Sequence, residues 1–261
     1  YKVLIKYYLE FDACGGGSPE HYFHFMHGYL LPSLFEINNI ESSTNLGNAQ
    51  TSFHFRSCGP VMDKILSEVL TLYELDYEIV QKAAYGTGAY SIKLRIPRWD
   101  MWLMSAKIDG KHTDHPNFLD TMMQVKRDIN SRIDRLQTAL MRKTDFNGFL
   151  ILKRSKQPKF YERGGESEIP TYGTGRRELI GIETAVNNLT NENIPVKIFE
   201  PGKHSFIEQV QAFQNCKGII GVRGAEFANI IWMNRKSKVI LIQPSNMGVV
   251  VFQKSLAEIL D

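Results

Sequence analysis

The chain has 261 residues, of which 43% are hydrophobic and 23% are charged, and its formal net charge is +3. This length fits one large domain or two small ones, and the composition is sufficient to bury a core. The weak positive charge does not by itself indicate a nucleic-acid-binding protein, and it fits one that holds a small anion at a local cluster.

The cysteines and the apolar runs bear on the location of the protein. Cys14, Cys58 and Cys216 show no regular spacing, which argues against a disulfide framework and against a structural zinc site. We expect free thiols, which favour a soluble, cytoplasmic protein. No apolar run reaches the roughly 20 residues that span a membrane. The chain begins at Tyr1 in strand-like sequence, which indicates an excised piece; the ER or Golgi lumen is the alternative if an anchor was removed.

Strand-like and helical segments alternate in the first half of the chain. Runs of β-branched and aromatic residues indicate strands, and apolar residues three and four apart indicate helices. The first helix has such a stripe, made of Phe23, Met26, Leu30, Leu34 and Ile37. Strands are predicted over residues 1–11, 51–55, 77–80 and 91–96, and helices over 19–38 and 60–73. A glycine loop, GGGSPE, lies between the first strand and the first helix.

A long polar helix is predicted from Phe118 to about Lys143. Its apolar stripe consists of Met122, Val125, Ile129, Ile133, Leu136 and Leu140. The other face is charged, which fits either a basic surface for nucleic acid or a solvated outer helix. Charges of alternating sign favour the solvated helix, so no nucleic-acid partner is expected.

The second half alternates continuous apolar strands with helices. Strands are predicted over residues 148–154, 196–200, 218–222 and 238–244, and helices over 176–191, 205–215 and 252–260, with a short helix after the third strand. This alternation indicates a parallel sheet covered on both faces, with a ligand crevice at the carboxyl ends of the strands. We predict two domains, residues 1–145 and 146–261.

Three loops follow strands of the second half, at residues 153–155, 200–202 and 223–226. Because neighbouring parallel strands end at the same edge, these loops should converge. Gly224 and Ala225 have almost no side chain, and the amides that begin the next helix favour an anion such as a diphosphate. The alternative is a turn in which glycine only permits close packing.

Side chains near these loops fit the parts of a nucleotide. Arg154, Arg176 and Arg177 could make fork-shaped contacts with phosphate oxygens. Phe199 could lie beside a base, and Glu200 could accept hydrogen bonds from ribose hydroxyls. Surface salt bridges are the alternative role of the arginines.

Several common motifs are absent from the sequence. No G-x-G-x-x-G follows the first strand of either half, and neither a Walker phosphate loop nor a G-x-S-x-G elbow occurs, which argues against NAD enzymes, NTPases and α/β-hydrolases. Four possible metal ligands, Asp109, His112, Asp114 and His115, match no standard spacing, so a polar loop is favoured and no metal is expected.

Three histidines, His21, His24 and His27, are spaced three apart beside the glycine loop. On a helix they would line one side. A neutral imidazole there is a candidate general base for a sugar hydroxyl. A zinc site and a structural histidine at a domain interface are the alternatives.

Motifs across most of the chain resemble glycosyltransferase family 61, which contains plant xylan xylosyltransferases and the animal protein O-GlcNAc and O-mannose GlcNAc-transferases. The matching segments, in the order of the family, are HYFHFMHGYLLP, LKRS, an arginine at 176 or 177, SFIEQV and IIGVRGAEFANIIWM. Three positions depart from the family pattern: Arg223 replaces a histidine, Glu226 replaces a glycine, and Gly28 replaces an acidic residue. We therefore expect a divergent member.

The resemblance implies a GT-B fold, with two Rossmann-like domains facing across a cleft and a last helix that crosses back to the first domain. It implies an inverting, metal-independent transfer of a sugar, xylose or GlcNAc, from a UDP-sugar to a glycan or glycoprotein hydroxyl. His24 takes the position of the family histidine and is the first choice of base, with His27 and Asp12 in reserve. The expected donor-binding residues are Arg154, Ser155, Arg176, Arg177, Phe199, Glu200, Gln209, Arg223, Gly224, Ala225, Glu226 and Asn229.

A non-catalytic nucleotide- or carbohydrate-binding module with the same fold is the alternative, and the departures at Arg223 and Glu226 motivate it.

Overall fold

A computed structural model of the chain describes residues 3–12, 17–43, 50–81, 90–105, 118–140, 146–155, 179–243, 253–254 and 256–257. The chain divides into two compact units, Tyr1–Leu140 and Met141–Asp261. A four-stranded sheet lies in each unit, and every strand pair in both sheets is parallel. The predicted α/β class with parallel sheets is therefore confirmed, and this architecture is consistent with Rossmann-like units.

The first unit begins with strand β1 and ends with its longest helix. Its elements are β1 (Leu4–Phe11), α1 (Tyr22–Phe25), a π-helical turn (Met26–Leu30), α2 (Leu31–Ser43), β2 (Gln50–Arg56), α3 (Pro60–Leu72), β3 (Tyr77–Val80), β4 (Ser91–Ile96), α4 (Trp99–Ser105) and α5 (Phe118–Leu140). The sheet order is β3-β2-β1-β4, so β1 and β2 are the central strands.

The two central strands place apolar side chains in the core of the first unit. Leu9 and Phe55 are fully buried. The hydroxyl of Tyr29 donates to the carbonyl of Leu9 over 2.9 Å and accepts from the backbone amide of Arg56 over 2.7 Å. This buried ring therefore ties the π-helical turn to the carboxyl ends of β1 and β2.

The first helical segment runs from Tyr22 to Ser43 and includes five residues of π-helix, which the sequence analysis did not predict. All five residues of its predicted apolar stripe are buried. The wider turn adds a residue without changing the apolar character of the segment, so hydrophobic spacing gives no sign of it.

Helix α5 has a buried stripe that is shorter than predicted. Its first four members, from Met122 to Ile133, are fully buried, but Leu136 is 39% exposed. The 23 residues of α5 extend about 35 Å, whereas the 13 residues of α2, which packs against it, extend only about 20 Å. Within the described ranges, α5 is too charged and every other helix too short or too polar to cross a bilayer.

Helix α4, Trp99–Ser105, was not predicted, and it supplies Asp100 to the site described below. It is short and follows Pro97, so a window of helical periodicity is too long to detect it.

The second unit repeats the alternation of strand and helix. Its elements are β5 (Phe149–Leu152), α6 (Ile182–Asn191), β6 (Val196–Phe199), a 3₁₀ turn (Pro201–Lys203), α7 (Phe206–Asn215), β7 (Gly218–Val222), a 3₁₀ helix (Ala225–Trp232) and β8 (Lys238–Ile242). The order β6-β5-β7-β8 places β5 and β7 in the centre.

Helix α6 begins six residues later than predicted, at Ile182 instead of Arg176. Gly181 precedes it with φ +78°, a left-handed conformation that a helix cannot contain. Helix α7 begins one residue later than predicted, because Ser205 and Glu208 form a reciprocal capping box around its first turn.

Candidate functional site

His24 lies at the carboxyl edge of the first sheet and contacts a buried acid. Its Nδ1 is 2.6 Å from Oδ2 of Asp100, whose side chain is fully buried, while 16% of the His24 side chain is exposed. A carboxylate only accepts hydrogen bonds, so Nδ1 carries the hydrogen. In the neutral ring this leaves Nε2 as the basic nitrogen.

Arg98 holds the same carboxylate from the other side. Its Nε donates to Oδ1 of Asp100 over 2.8 Å, and its Nη2 donates to Oδ2 over 2.6 Å. The guanidinium also donates to the carbonyl of Asp12 and lies 4.3 Å from the ring centre of Phe11. Burial alone would raise the pKa of Asp100, but the hydrogen bonds from Arg98 and His24 outweigh it and lower that pKa.

Two glycines make this arrangement sterically possible. Gly17, with φ +78°, lies over the imidazole, and a Cβ there would come within 2.7 Å of three ring atoms of His24. A Cβ on Gly28 would lie 2.6 Å from Oδ1 and 2.7 Å from Cγ of Asp100. Gly28 therefore leaves the space that the carboxylate occupies.

The other candidates for the base are placed differently. His27 is fully buried, with its ring 5.4 Å from that of Phe23. The carboxylate of Asp12 pairs with Arg95 over 3.2 Å. Among the three predicted candidates, His24 thus combines a partly exposed ring with a defined tautomer.

Loops of the second unit meet at the carboxyl edge of its sheet, as the parallel topology predicts. Nε of Arg154, after β5, donates to Oε1 of Glu226, after β7, over 2.9 Å. Gly224 is the small residue at this contact, since a Cβ there would collide with Oε2 of Glu226. Gln253 reaches the same turn, with its Nε2 3.5 Å from the carbonyl of Gly224.

Three buried oxygen atoms line this edge without a hydrogen-bond partner in the described part of the chain. They are Oγ of Ser155, Oε2 of Glu226 and Oε1 of Gln253. Oγ of Ser155 lies so close to Gly202 that a Cβ on that glycine would come within 2.5 Å of it. Buried polar atoms are normally hydrogen-bonded, so these positions fit the polar groups of a bound molecule.

Phe199 and Glu200 follow β6 at the same edge. The Phe199 ring is buried and stacks on His204, with ring centres 4.4 Å apart and planes 10° apart. Glu200 pairs with Lys203 over 2.9 Å. His204 therefore covers one face of the Phe199 ring, and His204 is the more exposed of the two rings.

Other residues predicted to bind the sugar donor are held by hydrogen bonds of the backbone or of neighbouring side chains. Asn229 is fully buried and its Nδ2 donates to Oε1 of Gln209 over 3.2 Å, which links the 3₁₀ helix to α7. The amide of Arg223 donates to the carbonyl of Ile242 over 3.1 Å, which continues the β7–β8 ladder. Ala225 begins the 3₁₀ helix.

Some of the predictions fall outside the described residues. These are most of the predicted last helix, 252–260, the arginines Arg176 and Arg177, and the possible metal ligands Asp109, His112, Asp114 and His115. Within the described ranges, no group of three or more histidine, cysteine, aspartate or glutamate side chains could hold a metal ion.

Four residues of the two edges were missed by sequence reasoning: Arg98, Asp100, His204 and Gln253. Asp100 lies 76 residues from His24, and no local spacing links such a pair. The R-W-D segment after β4 carried the one available signal, since charged residues directly after a parallel strand tend to reach the ligand edge.

Comparison with known proteins agrees with the sequence motifs. The family model described as glycosyltransferase 61 matches residues 22–240, which covers most of the chain and parts of both units. None of the curated proteins matches the chain. The family match confirms the resemblance and supports a glycosyltransferase activity. The chain belongs to glycosyltransferase family 61.

Proposed function

We propose that the chain is an inverting, metal-independent GT-B glycosyltransferase. It would transfer a sugar, xylose or N-acetylglucosamine, from a UDP-sugar to a hydroxyl of a glycan or glycoprotein. The observation that supports it most is the position of Arg154, a mostly buried guanidinium held against the Gly224–Glu226 turn at the sheet edge. This is where a parallel α/β unit binds its ligand.

Arg154 is oriented to bind the diphosphate of the donor. Its Nε is occupied by Glu226, so, as far as the described residues show, the two Nη groups are the donors that remain for phosphate oxygens. The turn after Gly224 adds backbone amides at the start of the 3₁₀ helix. The hydroxyl of Ser155, which has no partner among the described residues, adds a further donor at this edge.

The transfer itself requires a base and a stabilised leaving group. The acceptor oxygen forms a bond to the anomeric carbon while the bond from that carbon to the β-phosphate oxygen breaks. The electron pair of the broken bond leaves with UDP, and the hydroxyl proton passes to Nε2 of His24. In this proposal Arg154 and the turn amides stabilise the charge that develops on the departing diphosphate.

A thermal-unfolding screen with UDP, UDP-xylose, UDP-GlcNAc and GDP tests the proposed donor class. A ligand that binds only the folded state at 100 times its Kd stabilises it by about 2.7 kcal/mol. The uridine nucleotides should raise Tm and GDP should not. If none of the uridine nucleotides raises Tm, the proposed donor class is wrong.

The non-catalytic binding module is the second candidate, because Glu226 already pairs with the arginine that a diphosphate would need. It predicts that UDP-sugars bind without being consumed. Slow release of UDP by the pure protein, in the absence of acceptor, would exclude it.

A further inference from the structure

We propose that Asp100 is the positioning residue for His24: it fixes which ring nitrogen carries the hydrogen and which way the ring faces, and Arg98 fixes Asp100. The kinetic consequence of this inference rests on the proposed glycosyltransferase function. The tautomer is a property of the folded chain and is independent of any substrate.

The carboxylate of Asp100 cannot turn away from His24. Three donors converge on its two oxygens: Nε of Arg98 on Oδ1 at 2.8 Å, and Nη2 of Arg98 and Nδ1 of His24 on Oδ2, each at 2.6 Å. Two parallel bonds from a planar guanidinium set the plane of the carboxylate. With that plane set, Oδ2 is held in place for its second contact, the one with Nδ1 of His24.

Burial makes this contact difficult to replace. The Asp100 side chain is fully buried, so water cannot substitute for either donor. Arg98 is anchored in turn by Phe11 and by the carbonyl of Asp12 at the end of β1. A series of contacts therefore connects the end of β1, through Arg98 and Asp100, to the partly exposed ring of His24.

Gly28 is a second observation that supports a specific position for the Asp100 carboxylate. A side chain at this position of the π-helical turn would meet Oδ1, Cγ and Oδ2 of Asp100 within 3.0 Å. Because Gly28 has no Cβ, Asp100 of α4 can lie against the helical segment that contains His24.

The arrangement has a definite role when Nε2 accepts a proton. The O–H bond of the acceptor breaks, an N–H bond forms at Nε2, and the ring becomes a cation that keeps its Nδ1–H bond to Asp100. The carboxylate stabilises that cation, while the charge of Arg98 disfavours transfer of the Nδ1 hydrogen to Asp100.

Nuclear magnetic resonance of ¹⁵N-histidine-labelled full chain tests the tautomer directly. The spectrum of His24→Gln identifies the ring signals of His24. The wild-type neutral ring should carry its hydrogen on Nδ1, and Asp100→Asn should move the hydrogen toward Nε2, because the amide can donate to Nδ1. Asp63→Asn is the control: like Asp100, Asp63 accepts hydrogen bonds on both carboxylate oxygens, from Ser57 Oγ at 2.6 Å and the Cys58 amide at 2.7 Å, but it does not contact His24.

Transfer kinetics give the second readout, with UDP-sugar as the donor. Asp100→Asn should lower kcat by about 10²–10⁴-fold, the range for general-base catalysis with a misplaced tautomer, while UDP affinity stays unchanged. Asp63→Asn should retain the wild-type kcat. If Asp100→Asn does not fold because Arg98 keeps an unpaired buried charge, the double variant Arg98→Gln/Asp100→Asn removes that charge and carries the same expectation.

The outcomes separate this inference from the proposed function. A wild-type ring with its hydrogen on Nε2, or a folded Asp100 variant with unchanged tautomer, overturns the positioning role. An Asp100 variant with wild-type kcat overturns it as well. A wild-type Nδ1–H tautomer in a protein that consumes no nucleotide sugar supports the positioning role and rejects the proposed reaction.

Discussion

Arg154 and Glu226 form an ion pair between the ends of β5 and β7, with Nε 2.9 Å from Oε1 and with 13% and 18% of the two side chains exposed. Because both groups are mostly buried, water screens the pair less than it screens a surface salt bridge. The family pattern usually has a glycine at position 226, which could not form this pair, so the pair marks a departure of this chain from that pattern at the proposed phosphate site.

Replacing Arg154 with alanine should weaken UDP binding. A charge-assisted hydrogen bond contributes about 1.5–3 kcal/mol, so the affinity should fall by roughly 10- to 150-fold. Lys153→Ala is the control, because Lys153 is more exposed and pairs with the exposed Glu183. Calorimetry with UDP measures both variants, and equal affinities for the two would remove Arg154 from the donor site.

Replacing Glu226 with glutamine should strengthen UDP binding. The change keeps the shape of the side chain but removes one negative charge beside the site proposed to bind the diphosphate. We expect an affinity roughly tenfold tighter, about 1.4 kcal/mol. Weaker binding in the same titration would show instead that Glu226 itself accepts a hydrogen bond from the nucleotide.

Gly28→Ala should disturb His24 without altering any polar group. The new Cβ would lie 2.6 Å from Oδ1 of Asp100, and Arg98 and full burial leave that carboxylate no room to move. Overpacking of this kind costs about 1–3 kcal/mol of stability. Thermal unfolding should show that loss, and transfer activity should fall further than in Gly181→Ala, which strains the backbone at φ +78° but whose Cβ would meet no described atom within 4 Å. Equal activity in the two variants would contradict the account.

The structure predicts that the protein becomes less stable as the pH falls from about 7.5 to 5.5. Burial lowers the pKa of His54 and His21 from 6.5, and the carboxylate of Glu78 opposes this only in part for His54. At these two histidines the unfolded chain then binds more protons than the folded chain, so they make stability rise with pH through this window. Thermal unfolding across the window measures the slope, which His54→Gln should reduce. A slope of the opposite sign would show that the folded protein holds these protons.

Strands were predicted most accurately, and the reason is physical. Strands β3, β4 and β7 have the predicted bounds, because turn residues on both sides of a short strand-forming run fix where the strand begins and ends. Helix starts were less accurate, since at α6 the deciding factor is the left-handed φ of Gly181 and not the apolar spacing. The π-helical turn was missed because an i→i+5 bond leaves no mark on hydrophobic spacing.

The two candidate edges differ in how much of each could be predicted. The loops of the second unit follow their strands directly, so parallel topology was enough to predict that the loops with Arg154 and Glu226 converge, but not that these two side chains pair. The contact of His24 with Asp100 depends on the packing of α4 against the helical segment that contains His24, and the two residues are 76 positions apart. The charged R-W-D segment after β4 indicates that Asp100 reaches the ligand edge, but a single sequence contains no signal that pairs it with His24.

The proposal that His24 is the base of a glycosyltransferase is tested most directly by comparing the wild type with His24→Gln. The rate of UDP release from UDP-xylose and from UDP-GlcNAc is measured at saturating donor, with and without a hydroxyl acceptor. The wild type should release UDP and transfer the sugar, and the variant should release UDP at least about 10²-fold more slowly, with unchanged UDP affinity. A wild type that binds these donors and never releases UDP, or a His24 variant that releases it at the wild-type rate, would contradict the account.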